Sequence, residues 1–450
     1  MAMLDVWMNG ERVGEWSTSR SGNSVFRYDR DWTNAPHARA LSLSLPITAD
    51  QEIRGVVVDN YFDNLLPDNA DIRRRIRDRF RLRSAESFEL LEAVGRDCVG
   101  AVALLPPGDQ SAGWNRIEAM RLSQEQMERT LRNVTAPPAP GAGTETNDEF
   151  RISIAGAQEK TALLRMGGAW YRAHGATPTT HILKLPLGIA GNFRGDFSHS
   201  VENEWLCSRL LRQLQLPVAE TEIATFGDQK VLVVERFDRR WIGADARTVR
   251  KKGYTPANGT WIARLPQEDF CQATGRPPSQ RYESDGGASM SEILELLNAS
   301  DRAEMDRAHF VLAQLAFWLL AATDGHSKNF SIHLRSGGAF TMTPLYDVLS
   351  AWPVIGRGAN QLPIQDAKLA MALTGRNKHY RLREIQTRHW QDLAMRVGGT
   401  ALWQRMQAFV DSASAAVEAV AGLLPKDFPE KVITSIQAGV ASQCRRFLGT

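Results

Sequence analysis

The sequence predicts an α+β protein of two lobes, with a mixed α/β N-lobe and a C-lobe that is all-helical apart from one loop and one hairpin. At 450 residues the chain is longer than one hydrophobic core usually serves. Short alternating or apolar runs, typical of strands, occur in the first half, and from about Asp301 apolar residues recur mainly at helical spacing. Strands and helices in separate parts of a chain define the α+β class.

The N-terminal part carries two clear local signals. Two short alternating runs flank Asn9-Gly10, a dipeptide that favours the tight turn of a β-hairpin. Residues 71–83 contain seven arginines, with Ile72, Ile76 and Phe80 at four-residue spacing. This pattern predicts an amphipathic helix with a basic face, although such faces are more often solvated than bound to nucleic acid.

The N-terminus and the cysteines indicate the compartment. Charged residues interrupt the first segment, so no signal peptide fits it. The four cysteines are far apart and form no CxxC pair: Cys98, Cys207, Cys271 and Cys444. We therefore expect a reduced, cytoplasmic protein without structural zinc.

A run of small residues at 153–160, Ser-Ile-Ala-Gly-Ala-Gln-Glu-Lys, precedes a strand-like segment that begins at Lys160. Small residues at Ala155, Gly156 and Ala157 suit a hairpin whose backbone N–H groups approach phosphate closely, although the run is neither a Walker A loop nor GxGxxG. The Pro- and Gly-rich residues 135–148 before it predict a mobile connecting loop.

Lys184 lies within the apolar run His181-Ile-Leu-Lys-Leu-Pro. A buried lysine is costly unless it pairs with an anion, and the alternative is an edge lysine that snorkels to solvent. Residues 202–214 have helical spacing and place Glu204 in the first turn, where it could pair with Lys184. Residues 230–234 predict a buried strand, and the polar stretch around Glu235 and Phe237 resembles a hinge that hydrogen-bonds an adenine.

The segment Thr323-Asp-Gly-His-Ser-Lys-Asn-Phe contains the best indication of chemistry. The five-residue step from Asp324 to Asn329 equals the step between the catalytic base and a metal ligand in protein-kinase catalytic loops. An ordinary helix-ending turn is the alternative, because Asp, Gly and Asn are common loop residues. Asp347 follows a strand-like stretch that begins at Phe340, where a second magnesium aspartate would lie. The apolar helix predicted at 308–322 is too short to cross a bilayer.

Taken together, these segments resemble the HipA family, the serine/threonine-kinase toxins of bacterial HipBA toxin–antitoxin pairs. The resemblance covers nearly the whole chain and implies a protein-kinase-like fold that uses ATP and Mg²⁺. The segments that carry it are Phe62-Asp-Asn-Leu-Leu-Pro-Asp, Gly95-Arg-Asp-Cys-Val-Gly-Ala-Val, Phe150-Arg-Ile-Ser-Ile-Ala-Gly-Ala-Gln-Glu-Lys-Thr-Ala-Leu-Leu, Thr177-Pro-Thr-Thr-His-Ile-Leu-Lys-Leu-Pro, Val234-Glu-Arg-Phe-Asp-Arg-Arg, Leu265-Pro-Gln-Glu-Asp, Tyr282-Glu-Ser-Asp-Gly-Gly and Ala322-Thr-Asp-Gly-His.

The resemblance implies a role for each matching residue. Asp324 would be the catalytic base, and Asn329 and Asp347 would hold Mg²⁺. The implied nucleotide-binding residues are Ala155, Gly156, Ala157, Gln158, Lys184, Glu204, Glu235, Phe237, His326 and Lys328. Ser153 matches the serine that the family autophosphorylates. Phosphoserine adds about −1.5 to −2 charge, which would repel ATP phosphates beside it and switch the enzyme off.

The resemblance also implies partners. These are a HipB-like antitoxin dimer, operator DNA reached through that complex, and a protein substrate that is glutamyl-tRNA synthetase in the best-known case, with growth arrest and persistence as the outcome. A basic cluster of Arg376, Lys378 and Arg381 is expected to position DNA rather than to read bases, and no membrane is expected. Four segments follow: 1–105 facing the antitoxin, 106–149 connecting, 150–236 binding nucleotide, and 237–450 forming the mainly helical C-lobe.

One stretch departs from the family pattern. Residues 242–260 predict an exposed insertion after the hinge, which leaves the substrate open. Two other functions stay open as well: a small-molecule phosphotransferase of related fold, and a catalytically idle subunit that binds antitoxin and DNA. Intact Asp324 and Asn329 argue against the idle subunit, because a scaffold needs neither side chain.

Overall fold

The computed structural model describes residues 2–19, 22–109, 111–135, 156, 158–191 and 195–449. The chain forms two compact units. The first unit comprises Met1–Leu185, Ala224–Ser279 and Ile332–Ala339, and the second comprises Pro186–Ile223, Gln280–Ser331 and Phe340–Thr450. These units group the chain by contacts in space, so their boundaries are not those of the four predicted segments, which stay a prediction.

The strands are short, as expected for separate small sheets. They are β1 (Ala2–Met8), β2 (Glu11–Thr18), β3 (Ser24–Tyr28), β4 (Glu52–Arg54), β5 (Val102–Leu105), β6 (Ala119–Arg121), β7 (Lys160–Met166), β8 (Ala169–Ala173), β9 (His181–Lys184), β10 (Gly188–Ala190), β11 (Gly195–Phe197), β12 (Thr221–Phe226), β13 (Gln229–Glu235), β14 (Arg239–Ile242), β15 (Trp261–Arg264), β16 (Gln267–Asp269), β17 (Ser331–Leu334), β18 (Phe340–Met342), β19 (Lys368–Thr374) and β20 (Lys378–Arg381).

The longest helices lie in the second unit. The helices are α1 (Arg30–Asn34), α2 (Val56–Asp63), α3 (Ala70–Phe80), α4 (Ser87–Val94), α5 (Gln124–Thr135), α6 (Ser200–Gln213), α7 (Ala246–Arg250), α8 (Phe270–Ala273), α9 (Met290–Leu296), α10 (Ala303–Leu320), α11 (Thr387–Val397), α12 (Gly399–Ala421) and α13 (Glu430–Leu448). Within the described ranges, no helix is both long and apolar enough to span a bilayer.

The first unit begins with an antiparallel sheet in the order β4-β3-β2-β1-β5. The predicted hairpin is confirmed, since Asn9 and Gly10 join β1 to β2 with φ values of 47° and 87°. Both values lie in the left-handed region that a two-residue hairpin turn needs. The core beneath the sheet includes Trp16, whose ring stacks on Phe62 at a centroid distance of 4.0 Å. The predicted arginine-rich helix is α3.

A second sheet in this unit has the order β12-β13-β9-β7-β8-β6. Its strands β7, β9 and β13 are the three that the sequence predicted at 160, 181 and 230. Lys184 at the end of β9 lies opposite Leu232 of β13 and Lys160 of β7.

Buried charges join the segment after α4 to the segment after β13, both in the first unit. Asp97 contacts Arg239 at 2.9 Å, Arg264 at 3.3 Å and Arg236 at 3.4 Å. Arg236 also binds Asp238 at 2.8 Å. Burial opposes ionisation of Asp97, but the arginines hold its pKa below the usual range. This network accounts for the charged residues in two of the segments that carry the family resemblance, those that begin at Gly95 and at Val234.

Most of the residues predicted as an exposed insertion, 242–260, are exposed in the structure. The segment carries α7, in which Val249 is only 2% exposed. The backbone N–H of Gly167, in the turn between β7 and β8, donates to the carbonyl of Val249 at 2.8 Å. One apolar side chain and a backbone hydrogen bond therefore anchor a segment whose other residues mostly face solvent.

The second unit is mainly helical, as predicted, but it also contains the hairpins β10–β11 and β19–β20. The predicted helix at 308–322 is α10, which begins earlier, at Ala303, and ends at Leu320. Glu204 was expected in the first turn of its helix, but α6 begins at Ser200, so Glu204 lies in the second turn. The strand predicted before Asp347 is the three-residue β18.

Candidate active site

The loop after α10 places Asp324 and Asn329 together. The backbone oxygen of Asp324 accepts hydrogen bonds from His326 N at 2.8 Å and from Asn329 Nδ2 at 2.7 Å. A Cβ on Gly325 would lie 2.2 Å from the ring of Phe317 in α10, so the close approach of loop and helix requires glycine. The side-chain nitrogen of Asn329 is therefore bound to the backbone of Asp324, and this bond closes the loop between the two residues.

The carboxylate of Asp324 is exposed, and its two oxygens differ. Oδ1 accepts a hydrogen bond from the Tyr282 hydroxyl and lies 3.8 Å from His326 Nε2. Oδ2 makes no hydrogen bond within the part of the chain that the structure describes. One oxygen is thus held, whereas the other is open to a proton-bearing group, as the predicted role of general base requires.

Asp347 is fixed from both sides. The hydroxyl of the preceding Tyr346 donates to the carbonyl of Lys328 at 2.8 Å. Three residues after Asp347, the Ser350 hydroxyl donates to the carbonyl of Leu320 at 2.6 Å, at the end of α10. Asp347 itself has a φ of 59°, which is uncommon for a residue with a side chain, although aspartate adopts it more readily than most.

Asn329 and Asp347 suit a hard cation. The Asn329 amide nitrogen is occupied, which leaves its Oδ1 as an oxygen ligand for a cation, and Asp347 carries a carboxylate. The described residues contain no group of three or more His, Cys, Asp or Glu side chains placed to hold a metal. Mg²⁺ is commonly held by one or two protein oxygens together with substrate phosphates, so these residues fit an ion that arrives with a nucleotide. Their role as ligands stays a prediction.

The helix that carries Glu204 is attached to the same region of the second unit. Asn203, next to Glu204 on α6, exchanges two hydrogen bonds with the backbone of Ser350: its Nδ2 donates to the carbonyl at 2.8 Å, and its Oδ1 accepts from the N–H at 3.0 Å. The side chain of Glu204 is buried. The α6 helix, the loop after Asp347 and the end of α10 are therefore held together.

The remaining nucleotide-binding candidates lie in the first unit. The side chain of Lys184 is 5% exposed. Glu235 ends β13 and pairs with Arg250 of α7 at 2.5 Å, and the Phe237 ring contacts His333 edge-on at 5.8 Å. Gln158 Nε2 donates to the carbonyl of Leu185 at 2.5 Å. The pair predicted between Lys184 and Glu204 stays a prediction.

The other residues predicted from the sequence have different surroundings. Ser153, Ala155 and Ala157 lie outside the described residues, whereas Gly156 is described and has a φ of 109°. His326 and Lys328 are buried in the catalytic loop. In the basic cluster, Lys378 pairs with Glu283 at 2.8 Å and Arg381 with Glu384 at 3.3 Å, and Arg376 lies in the turn between β19 and β20. Their proposed contact with DNA is untested.

Sequence reasoning missed four residues that shape this site: Asn203, Tyr282, Tyr346 and Ser350. Each acts through a hydrogen bond to a residue far away in the chain, so no local spacing indicates it. The segment Tyr282-Glu-Ser-Asp-Gly-Gly was noticed as a motif, but its partner Asp324 could not be inferred from it.

Comparison with known proteins identifies the family of this chain. The model of the HipA N-terminal domain matches residues 4–105, and that of the HipA-like C-terminal domain matches residues 152–421. Y4mE of Sinorhizobium fredii, a protein named as a kinase, is 32% identical over 431 residues, covering 93% of this chain and 91% of that protein. The serine/threonine-protein kinase toxin HipA of Shewanella oneidensis is 27% identical over 359 residues, covering 77% and 75%.

A solved structure supports the fold. The HipA of Shewanella oneidensis, solved with HipB and operator DNA, has a TM-score of 0.78 and 22% identity, covering 99% of this chain and 97% of that one. The α+β, kinase-like fold predicted from the sequence is therefore confirmed. With both family models matched and a relative that is 32% identical over 93% of this chain, the chain belongs to the HipA family of serine/threonine-kinase toxins.

Proposed function

We propose that this chain is an ATP- and Mg²⁺-dependent protein serine/threonine kinase and the toxin of a toxin–antitoxin module. The observation that carries the proposal is the catalytic loop, in which the Asp324 carboxylate is exposed with one oxygen held and the other available. Asn329, five residues later, is clamped to the Asp324 backbone. Phosphoryl transfer depends on positioning of this kind, because a base must reach the substrate hydroxyl beside the metal-bearing nucleotide.

In the proposed reaction, the substrate hydroxyl oxygen forms a bond to the γ-phosphorus while Asp324 Oδ2 accepts its proton. The bond between the γ-phosphorus and the β–γ bridging oxygen breaks, and ADP leaves with that electron pair. Lys184 would hold the nucleotide phosphates, and the hinge around Glu235 and Phe237 would border the adenine. Asn329 and Asp347 would hold Mg²⁺, which neutralises phosphate charge when it is bound.

We propose further that the substrate is a translation component, glutamyl-tRNA synthetase, so that phosphorylation arrests growth and leads to persistence. Membership of the HipA family supports this choice of substrate class. Autophosphorylation at Ser153 would switch the kinase off, because a phosphoserine there would repel the phosphates that the adjoining small-residue segment binds.

The proposed partners are a HipB-like antitoxin dimer, which would contact the N-terminal subdomain at 1–105, and operator DNA. Support comes from the Shewanella oneidensis relative, which was solved with HipB and its operator. Arg376, Lys378 and Arg381 would contact DNA phosphates within such a complex, in the cytoplasm.

The test is mass spectrometry after incubation with ATP and Mg²⁺, on protein first treated with a phosphatase. Asp324→Asn is the matched variant, since it keeps the side chain's size and removes its basicity. We expect phosphate on Ser153 in the wild type and none in Asp324→Asn. Equal phosphorylation of both proteins would contradict the role of Asp324. Bound ATP without any transfer, to itself or to glutamyl-tRNA synthetase, would contradict the kinase proposal.

A further inference from the structure

The segment 280–289 contains the motif Tyr282-Glu-Ser-Asp-Gly-Gly, to which the proposed mechanism assigns no task. We infer that Tyr282 is a positioning residue for the catalytic base: its hydroxyl holds Oδ1 of Asp324, so that Oδ2 faces the hydroxyl to be phosphorylated. This inference rests on the proposed function and adds a second residue to the control of proton transfer.

The ring of Tyr282 is held on two sides. The guanidinium of Arg281 lies 5.2 Å from the ring centroid, and His326 of the catalytic loop contacts the ring edge-on at 5.0 Å and 89°. The carbonyl of Arg281 also accepts a hydrogen bond from Ser327 N at 3.1 Å. The tyrosine segment and the catalytic loop are therefore attached to each other through backbone as well as side-chain contacts.

The backbone of Tyr282 is fixed by the two glycines of the motif. Its carbonyl accepts hydrogen bonds from Asp285 N at 3.0 Å and Gly287 N at 2.9 Å. Gly286 has a φ of 96°, and a Cβ on Gly287 would lie 2.5 Å from the carbonyl oxygen of Gln280. The turn therefore needs both glycines, and its hydrogen bonds fix the backbone position of Tyr282.

Glu283 fixes the segment on its other side. Its buried carboxylate accepts a hydrogen bond from Ala372 N of β19 at 2.7 Å and pairs with Lys378 of β20 at 2.8 Å. The hydrogen bond and charge of Glu283 raise the pKa of Lys378. The motif thus connects Asp324, through Tyr282 and Glu283, with the β19–β20 hairpin.

The chemistry of the phenol suits this task. Burial raises the pKa of Tyr282 above its usual value, and the negative charge of Asp324 raises it further, so the phenol stays a protonated donor. Because Oδ1 already accepts the phenol's hydrogen bond, the substrate proton goes to Oδ2. A carboxylate held in one rotamer presents that oxygen in every encounter, whereas a freely rotating one does so for part of the time.

The test compares Tyr282→Phe with the wild type in two measurements. One is the single-turnover rate constant of phosphate transfer at saturating Mg·ATP, and the other is the Kd of Mg·ATP from equilibrium binding. We expect the rate constant to fall by about 10- to 100-fold, while the Kd and the Tm stay close to wild-type values, because phenylalanine keeps the ring contacts.

Tyr28→Phe is the matched control. It removes a buried tyrosine hydroxyl of the first unit, whose partners are the backbone of Leu41 and Leu45. We expect it to lower the Tm and leave the rate constant unchanged. Lys378→Met, which removes one of the two attachments of Glu283, should lower the rate constant less than Tyr282→Phe does.

Three outcomes would overturn the inference. A wild-type rate constant in Tyr282→Phe overturns it alone and leaves the kinase proposal standing. Parallel losses of Tm, ATP binding and rate would show that the hydroxyl has a structural role rather than a positioning one. If the wild type itself transfers no phosphate, the kinase proposal fails and the inference fails with it.

Discussion

Glu268 is a carboxylate in an environment that opposes its charge. The residue is fully buried in the first unit, and its Oε1 accepts a hydrogen bond from Leu43 N at 2.9 Å. Burial raises the pKa of Glu268 from about 4.5 to about 8, despite the hydrogen bonds that it accepts from Ser42 and Leu43. Its protonation therefore couples the stability of the first unit to pH.

The sign of this coupling is fixed by linkage. Between about pH 4.5 and 8 the folded state binds the proton of Glu268 more tightly than the unfolded state does, so its contribution to stability falls as pH rises. In Glu268→Gln this dependence is absent. We expect the unfolding free energy of the variant, minus that of the wild type, to rise by about 4 kcal/mol from pH 5 to pH 8.5. Urea unfolding at a series of pH values measures it, and a flat difference would contradict the prediction.

Single residues also show what the sequence can and cannot predict. Asp324, Asn329 and Asp347 were predicted from spacing and order, because kinase catalytic loops keep their base and their metal ligand a fixed distance apart, and their roles stay predictions. Tyr282 was not found, since its hydrogen bond to Asp324 depends on how two distant segments pack. The need for glycine at Gly325 likewise appears only with the ring of Phe317 in place.

At the scale of elements, the buried charge network explains the two motifs around Asp97 and Arg236. The network contains three arginines and two aspartates, all of them buried: Asp97, Arg236, Asp238, Arg239 and Arg264. The arginines also donate to backbone carbonyls, for example Arg236 to Cys98 O at 2.8 Å and Arg239 to Gly100 O at 2.7 Å. These bonds attach the segment after α4 to the segment that follows the proposed hinge.

Asp97→Asn should therefore be strongly destabilising. The change leaves three buried arginines facing a single carboxylate, and breaking a buried ion pair in this way costs about 3–5 kcal/mol. Urea unfolding of the variant against the wild type measures the loss. Glu52→Gln is the control, because Glu52 pairs with Arg27 at 2.7 Å on the surface, and its loss should change stability little. Equal effects of the two substitutions would show that the network is not a buried ionic contact in solution.

Elements with a strong period were predicted well, and short ones were not. The β1–β2 hairpin, the strands β7, β9 and β13, and the helices α3 and α10 all follow regular apolar spacing. The hairpin β10–β11 and the helix α7 each have too few residues to establish a period. The buried side chain of Val249 anchors α7. In the sequence alone, this valine cannot be distinguished from an exposed valine in a loop.

For the whole molecule, the resemblance predicted more than the local patterns did. Lys184 and Glu235 belong to the first unit, and Asp324 and Asp347 belong to the second. Their order along the chain could be read from the sequence, and the roles assigned to them stay predictions. The family models match residues 4–105 and 152–421, so they establish the family over most of the chain, which no single motif could do.

The basic cluster provides the last prediction, which concerns the proposed complex of this chain with a HipB-like antitoxin and operator DNA. Arg376 and Arg381 are expected to contact phosphates, so their replacement by Ala should weaken binding alike for all sequences. Each loss should reduce the slope of log K against log salt by about 1. Filter binding or fluorescence anisotropy over a range of salt concentrations measures the slope. Arg405→Ala, an exposed arginine of α12 outside the cluster, is the control and should leave the slope unchanged.

Lys378 differs from Arg376 and Arg381 in the position of its partner. It pairs with Glu283, which is next to Tyr282, the residue that holds Asp324. Lys378→Ala should therefore lower phosphate transfer as well as DNA binding, whereas Arg376→Ala and Arg381→Ala should lower DNA binding alone. If all three variants reduce DNA binding equally and none changes the transfer rate, Lys378 is a phosphate contact like the arginines. A reduced transfer rate in Lys378→Ala alone would connect the β19–β20 hairpin with the position of the proposed catalytic base.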